Sequence, residues 1–177
     1  YQSMRGPLHI KPLIYLIPAG LFGILLFATC SGRADDAAAY NDSIISHQSK
    51  IISAFDTMDA TLSDTASSVE KLEYAHIFLK DQVHNSIMAL DSIGPFRKDP
   101  SLQKAARTLF YEYENMAGFE YNNLLQIALK PPYSITQTVI DSVKTLQDHL
   151  KVRSKKAQEA FTEEQVRFGK KYHLVFE

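Results

Sequence analysis

Glu73 and His76 are three residues apart in a helical pattern, a spacing that places a carboxylate and an imidazole on one face of a helix. Di-iron four-helix proteins use this Glu-x-x-His spacing, but they need it on two helices and one further carboxylate from each of the other two. Here the pair occurs once. A similar but less specific pair, Asp81-x-x-His84, lies on the same helix, so it cannot face the first pair. Glu120, on a later apolar stripe, can supply one more ligand.

The same residues have a structural interpretation, which we favour. On an apolar stripe, His76 is expected to be buried and hydrogen-bonded to Glu120 or Gln48. Burying an unpaired carboxylate is expensive, so Glu120 needs a partner, and Arg153 on the fourth stripe is the expected cation. We therefore predict no metal and no other cofactor. Glu73, His76 and Glu120 are the candidate ligands of the alternative, a metal- or small-ligand-binding bundle.

Aromatic side chains are dense in "LFYEYENMAGFEY", residues 109 to 121. Aromatics on consecutive positions of a helix cannot all face one core, so Phe110, Tyr111 and Tyr121 are candidates for an interaction patch on a second surface. The alternative is that several helices pack around this one and bury them.

Composition narrows the function classes. The chain has 177 residues, of which 45% are hydrophobic and 22% charged, and this composition is typical of one globular domain with a core. A net charge of -1 argues against a nucleic-acid partner, because phosphate binding needs a basic surface. The sequence has no Ser-His-Asp order, glycine-rich phosphate loop or paired zinc motif. We therefore predict that the protein is not an enzyme.

The single cysteine, Cys30, follows an apolar run from Leu13 to Ala28, with Arg5 and Lys11 on the N-terminal side. That order is typical of an export signal, and the apolar run is shorter than the ~20 residues that span a bilayer. We interpret residues 4–29 as a signal peptide and residues 1–3 as the remnant of a cleaved tag.

"FATC", residues 27 to 30, resembles a bacterial lipobox, in which the cysteine becomes the acylated N-terminus of the mature protein. It departs from the usual pattern in Phe27, where leucine is usual, and in Thr29, a less common small residue. Two alternatives are an ordinary signal-peptidase site, which would release a soluble protein, and an uncleaved anchor. We predict lipid on Cys30 and a short polar tether over residues 30–39.

Apolar residues recur every three or four positions in four long segments, which predicts four helices. Two begin at capping boxes, Ser67-x-x-Glu70 and Ser134-x-x-Gln137, and one begins at Asp99 followed by Pro100. Short connections place neighbouring helices antiparallel, so residues 40–177 are predicted to form an all-α, up-down-up-down four-helix bundle. The expected helices run from about Asp36 to Leu62, from Ser67 to Gly94, from Asp99 to Pro131 and from Ser134 to Tyr172.

Residues scattered along the predicted mature chain match a family pattern. They are Tyr40-Asn41-Asp42, Gln48, Ile51-Ile52, Phe96, Asp99, Leu102, Ala105-Ala106, Leu109-Phe110, Tyr113, Phe119-Glu120-Tyr121, Phe161, Gln165, Phe168, Lys171-Tyr172 and Leu174. With them the chain resembles an uncharacterised family of small helical surface lipoproteins from Bacteroidota and Leptospira. The resemblance implies lipidation, an envelope location and a helical fold, and it carries no catalytic residue over.

The expected function is that of a lipid-anchored protein of the bacterial envelope, a non-catalytic binding or structural accessory. Its expected partners are the membrane, through the lipid anchor, and a protein of the envelope, with no nucleic acid. Ser31 favours the outer membrane, whereas Asp35 and Asp36 lie slightly late for a surface-export signal, so the periplasmic and surface faces both stay open. A surface adhesin or interaction protein is the further alternative.

Overall fold

The computed structural model describes residues 32–174. The predicted signal peptide and lipidated Cys30 lie outside this part of the chain. The helices are α1 (Gly32–Ser63), α2 (Val69–Ile93), α3 (Ser101–Gly118), α4 (Glu120–Ala128) and α5 (Gln137–Tyr172), with a 3-10 turn at Pro132–Ser134.

The predicted all-α four-helix bundle is confirmed, with α3 and α4 together forming the third leg. Each leg runs antiparallel to the one before it. Between residues 32 and 174 the only β-type pairing is an isolated bridge between Phe96 and Asp99. None of the helices in this range combines the length and the apolar character needed to cross a bilayer.

The first helix begins earlier than we predicted. Most of the stretch assigned to a polar tether, residues 30–39, is helical from Gly32 onward, and Ala34 and Ala37 are buried. Alanine is the strongest helix former, and its small side chain lets a neighbouring helix approach closely. The tether prediction is therefore wrong for residues 32–39.

The third predicted helix is interrupted at one residue. Phe119, between Gly118 and Glu120, stays in the right-handed helical region but is distorted from ideal helical values (φ -111°, ψ -68°). Its amide donates to the Asn115 carbonyl at 2.9 Å, and its own carbonyl accepts from the Asn123 amide at 3.0 Å. Because these bonds continue across the junction, α3 and α4 stay in one leg.

The capping signals mark the right connections but are displaced by one or two residues. The cap of α2 is Ser68, whose hydroxyl accepts from the Lys71 amide at 3.2 Å. The cap of α5 is Thr136, whose hydroxyl accepts from the Val139 amide at 3.4 Å. Closely spaced hydroxyl residues offer several caps of similar strength, so the exact starting turn depends on packing.

Most residues of the predicted apolar stripes form the core, but Val69 is 51% exposed at the start of α2, and Ile135 and Val139, near the start of α5, are only half-buried. Polar side chains join α1 to α5 across the closing seam of the bundle. The Gln48 amide donates to Gln158 Oε1 at 2.8 Å, and the Gln165 amide donates to Asn41 Oδ1 at 3.0 Å. Asn41 and Gln48 are seven residues apart on α1, and Gln158 and Gln165 are seven residues apart on α5. The two amide pairs therefore favour one antiparallel register of α1 and α5.

One end of the bundle, which we call the Phe96 end, contains the start of α1, the α2–α3 connection and the end of α5. Phe96 packs there against three aromatic rings, with centroid distances of 4.9 to 5.5 Å. Its ring neighbours are Tyr40, Phe168 and Tyr172. The opposite end, which we call the Asp59 end, contains the end of α1 and the start of α2.

Candidate functional site

Asp59 and Tyr121 form a buried pair that connects α1 to α4. Asp59 is 4% exposed and Tyr121 is 2% exposed, and the Tyr121 hydroxyl donates to Asp59 Oδ1 at 2.8 Å. The Tyr121 ring packs against Phe55, one turn before Asp59, with a centroid distance of 5.0 Å. The hydrogen bond satisfies a polar group that would otherwise be costly to bury.

Among residues 32–174, no cationic side chain donates a hydrogen bond to the Asp59 carboxyl group. Burial raises the pKa of Asp59 from its ordinary value of 3.8 to about 7, the Tyr121 hydroxyl opposes that rise, and the charge of Asp56 adds to it. Burial also raises the pKa of Tyr121 well above its ordinary value, and Asp59 adds to that rise. Asp59 therefore takes up or releases a proton close to neutral pH.

Glu120, at the first position of α4, carries the second buried carboxylate. Its side chain is 3% exposed, and Arg153 Nη1 on α5 donates to Glu120 Oε1 at 2.6 Å. Arg153 Nη2 donates to Glu112 Oε2, also at 2.6 Å, so one guanidinium bridges two carboxylates. The predicted Glu120–Arg153 ion pair is confirmed.

These contacts leave one oxygen of Glu120 without a partner. Glu120 Oε2 is buried and has no hydrogen bond within the described residues. Hydrogen bonding to Glu112, and further to Glu120, raises the pKa of Arg153, so the guanidinium keeps the charge that balances Glu120.

His76 is buried as predicted, but its partner is a different one. His76 Nε2 lies 2.9 Å from the Ala117 carbonyl oxygen, and neither Glu120 nor Gln48 is bonded to it. A carbonyl only accepts, so Nε2 carries a hydrogen and donates it. Ala117 is in the last turn of α3, where carbonyls lose their intrahelical donors, and this explains why the imidazole binds there.

The three candidate metal ligands do not converge. Glu73 is exposed on α2, His76 binds a backbone carbonyl, and Glu120 pairs with Arg153. From residue 32 to residue 174, no group of three or more His, Cys, Asp or Glu side chains is arranged to hold a metal ion.

The predicted interaction patch is wrong for two of its three residues. Phe110 is fully buried and Tyr121 is 2% exposed, whereas Tyr111 is 44% exposed. The leg formed by α3 and α4 contacts α1, α2 and α5, so its side chains are covered on several sides. These contacts agree with the alternative interpretation of the aromatic-rich segment, in which several helices pack around it and bury its side chains.

Asp59 is the site residue that sequence reasoning missed. It follows Phe55 by four residues and lies beside Met58, so helical spacing puts it on the buried side of α1. A carboxylate on an apolar stripe was the signal that identified Glu120, and the same signal applies to Asp59.

The buried polar groups described above form separate contacts between helices. Asp59 can exchange a proton, Arg153 can hold two carboxylates, and His76 locks α2 to α3. No protein-family model matches the chain, and no curated protein or solved structure shows significant similarity to it.

Proposed function

We propose that this chain is a lipid-anchored protein of the bacterial outer membrane that acts as a non-catalytic binding or structural accessory. The observation that carries the proposal is the export signal that ends in "FATC", with Cys30 as the only thiol of the chain. On this proposal Cys30 carries a diacylglycerol through a thioether, and the chain belongs to the helical lipoprotein family that it resembles.

The start of the fold supports the proposal. Helix α1 begins at Gly32, two residues after the cysteine, so processing at Cys30 would remove the export signal and leave the bundle whole. Each buried methylene of an acyl chain contributes about 0.8 kcal/mol to membrane binding, so two or three chains hold a protein stably.

A non-catalytic role is supported by the contacts of the groups that could do chemistry. The imidazole of His76, the hydroxyl of Tyr121 and the guanidinium of Arg153 are each engaged with another part of the bundle. Their contacts join helices, which is a structural use of polar groups.

Mass spectrometry of the protein isolated from its native host tests the anchor. We expect a mature N-terminus at Cys30 with the added mass of a diacylglycerol, and complete loss of that modification in Cys30→Ala. Ser31→Ala is the matched control, because it changes the neighbouring residue and keeps the thiol. An unacylated mature protein released into the medium would exclude the proposal.

Protease treatment of intact cells then assigns the membrane face. Loss of the protein while periplasmic control proteins survive places it on the cell surface, and its survival places it on the periplasmic face.

A further inference from the structure

Helix α2 is apolar on two faces. Its inner face packs in the core through Leu72, Leu79, Val83 and Leu90. Its outward face carries Tyr74, Ile77, Phe78 and Met88, which are 70%, 57%, 37% and 55% exposed. Large apolar residues that share an exposed face mark an interaction site more often than single ones do.

One edge of this outward face has a charge order that is approximately symmetric about Ile77. Successive steps of three or four residues give Glu70, Glu73, Ile77, Lys80 and His84, which therefore form one stripe on the helix. The stripe is acidic before Ile77 and basic after it. Glu73 and Lys80 are both exposed, and neither has an ion pair or hydrogen bond among residues 32–174.

We propose that a second copy of this chain packs on this face, with the two α2 helices antiparallel about a two-fold axis at Ile77. When a two-fold axis relates antiparallel helices, the same edge of each helix meets its copy, so the acidic half of one stripe faces the basic half of the other. Glu73 then lies opposite Lys80 of the second copy, and the reverse pair forms at the same time.

The apolar residues fit the same register. With Ile77 facing its own copy, the levels of Tyr74 and of Phe78 of the other molecule differ by about 3 Å along the helix axis, and this aromatic pair also occurs twice. Aromatic pairs contribute beyond the area that they bury.

The neighbouring leg extends the face. Two contacts fix the register of α2 against α3, Arg107 with Asp91 and His84 Nδ1 with Glu114 Oε1 at 4.0 Å. Met88 and Tyr111 both lie midway between these contacts, so the two exposed side chains are at the same level of the bundle. Tyr111, the one exposed member of the predicted patch, therefore borders the α2 face.

The charges of the face favour a second copy over a lipid surface. Glu70, Glu73 and Asp81 are exposed on it and would be repelled by anionic head groups.

Disulfide trapping tests the position of the axis. In the full-length chain carrying Cys30→Ser, we expect Ile77→Cys to form a covalent dimer under mild oxidation, since the two thiols would meet at the axis. Ile140→Cys is the matched control, because Ile140 is 48% exposed on α5, away from the proposed face. Equal trapping at both positions, or none at Ile77, would overturn the proposal.

Charge reversal tests the pairing. Sedimentation equilibrium should show a dimer whose Kd rises at least tenfold in Glu73→Lys and in Lys80→Glu, because each change replaces two attractive pairs with two repulsive ones. The double variant should return to within about threefold of wild type, because it restores both pairs in reverse. Unchanged circular dichroism shows that each variant is folded. A monomeric wild type, a double variant weaker than either single variant, or a face covered by a different protein would each overturn the proposal.

Discussion

Asp99 at the Phe96 end and Asp59 at the opposite end are both aspartates in sheltered positions, and their pKa values move in opposite directions. Hydrogen bonds from Lys171 and Ser101 lower the pKa of Asp99 to about 2, whereas burial raises that of Asp59 to about 7. The Asp99 side chain is 14% exposed and Asp59 is 4% exposed, so neither is open to solvent. Burial and partner both differ: Asp59 is fully buried with only a phenol as its partner, whereas Asp99 is partly buried and lies 2.7 Å from Lys171 Nζ.

The largest expected effect comes from Asp59→Asn, which removes the titrating proton and keeps an oxygen that can accept from Tyr121. The folded chain holds this proton up to about pH 7, and the unfolded chain releases it near 3.8. The stability contributed by this group is therefore complete below about pH 4 and is lost as the pH rises through 7. Between pH 4 and pH 8 we expect wild type to lose up to about 4 kcal/mol that the variant keeps.

Urea denaturation of both proteins across this pH range measures the difference. Asp56→Asn is the control, because Asp56 is exposed and its charge contributes only a smaller part of the rise in the Asp59 pKa. Its pH profile should keep the shape of wild type with a slightly lower midpoint. Parallel profiles for wild type and Asp59→Asn would contradict the pKa assigned to this carboxyl group.

Glu120 separates the effect of burial from the effect of a cationic partner, because it is buried like Asp59 and paired with a cation like Asp99. Arg153→Met would leave this carboxylate buried without a cation. We expect a loss of about 3 kcal/mol in the free energy of unfolding at pH 7, at the lower end for a broken buried pair because Arg153 is 35% exposed.

Two further variants check that interpretation by chemical denaturation. Glu112→Gln, which removes the more exposed partner of Arg153, should cost less than about 1 kcal/mol. Adding Glu120→Gln to Arg153→Met should recover most of the loss, because it removes the uncompensated charge. If the double variant is as unstable as Arg153→Met, lost packing of the arginine and not the charge is responsible.

Asp99→Asn should have the smallest effect and the opposite pH dependence. The pKa of Asp99 is lowered, so its contribution is present above the ordinary value of 3.8 and is lost as the pH falls through about 2. We expect a cost of about 1 kcal/mol at pH 7, because Lys171 is on the surface, and that cost should vanish in acid. Thermal unfolding at pH 7 and pH 2 measures both values, with Lys170→Met as a control that removes a neighbouring exposed charge.

The helix positions and the Glu120–Arg153 pair could be predicted because both depend on the spacing of residues close together in the sequence. Apolar residues every three or four positions define which side of each helix is buried, and a carboxylate on that side needs a cation. Arg153 was the obvious partner because it lies on the stripe of the adjacent helix. The same reasoning would have identified Asp59, which shares the side of Phe55.

The remaining features depend on contacts between distant parts of the chain. Phe110 and Tyr121 are buried because three other helices surround their leg, which no single periodic pattern reveals. His76 binds the Ala117 carbonyl because α3 is interrupted just after it, and the sequence pattern predicts one continuous helix there. The exposed apolar face of α2 was not predicted from the sequence, because the inner apolar stripe is enough to predict that this segment is a helix.

The early start of α1 limits how the protein can be oriented. With lipid on Cys30, at most about 7 Å of chain separates the acylated residue from Gly32, so the bundle stays next to the head groups. In the proposed dimer the two α1 starts lie at opposite ends, and both can reach one membrane only if the bundles lie along it. Confinement to that thin layer raises the local concentration of copies, so the dimer expected in solution would form at the membrane from less protein.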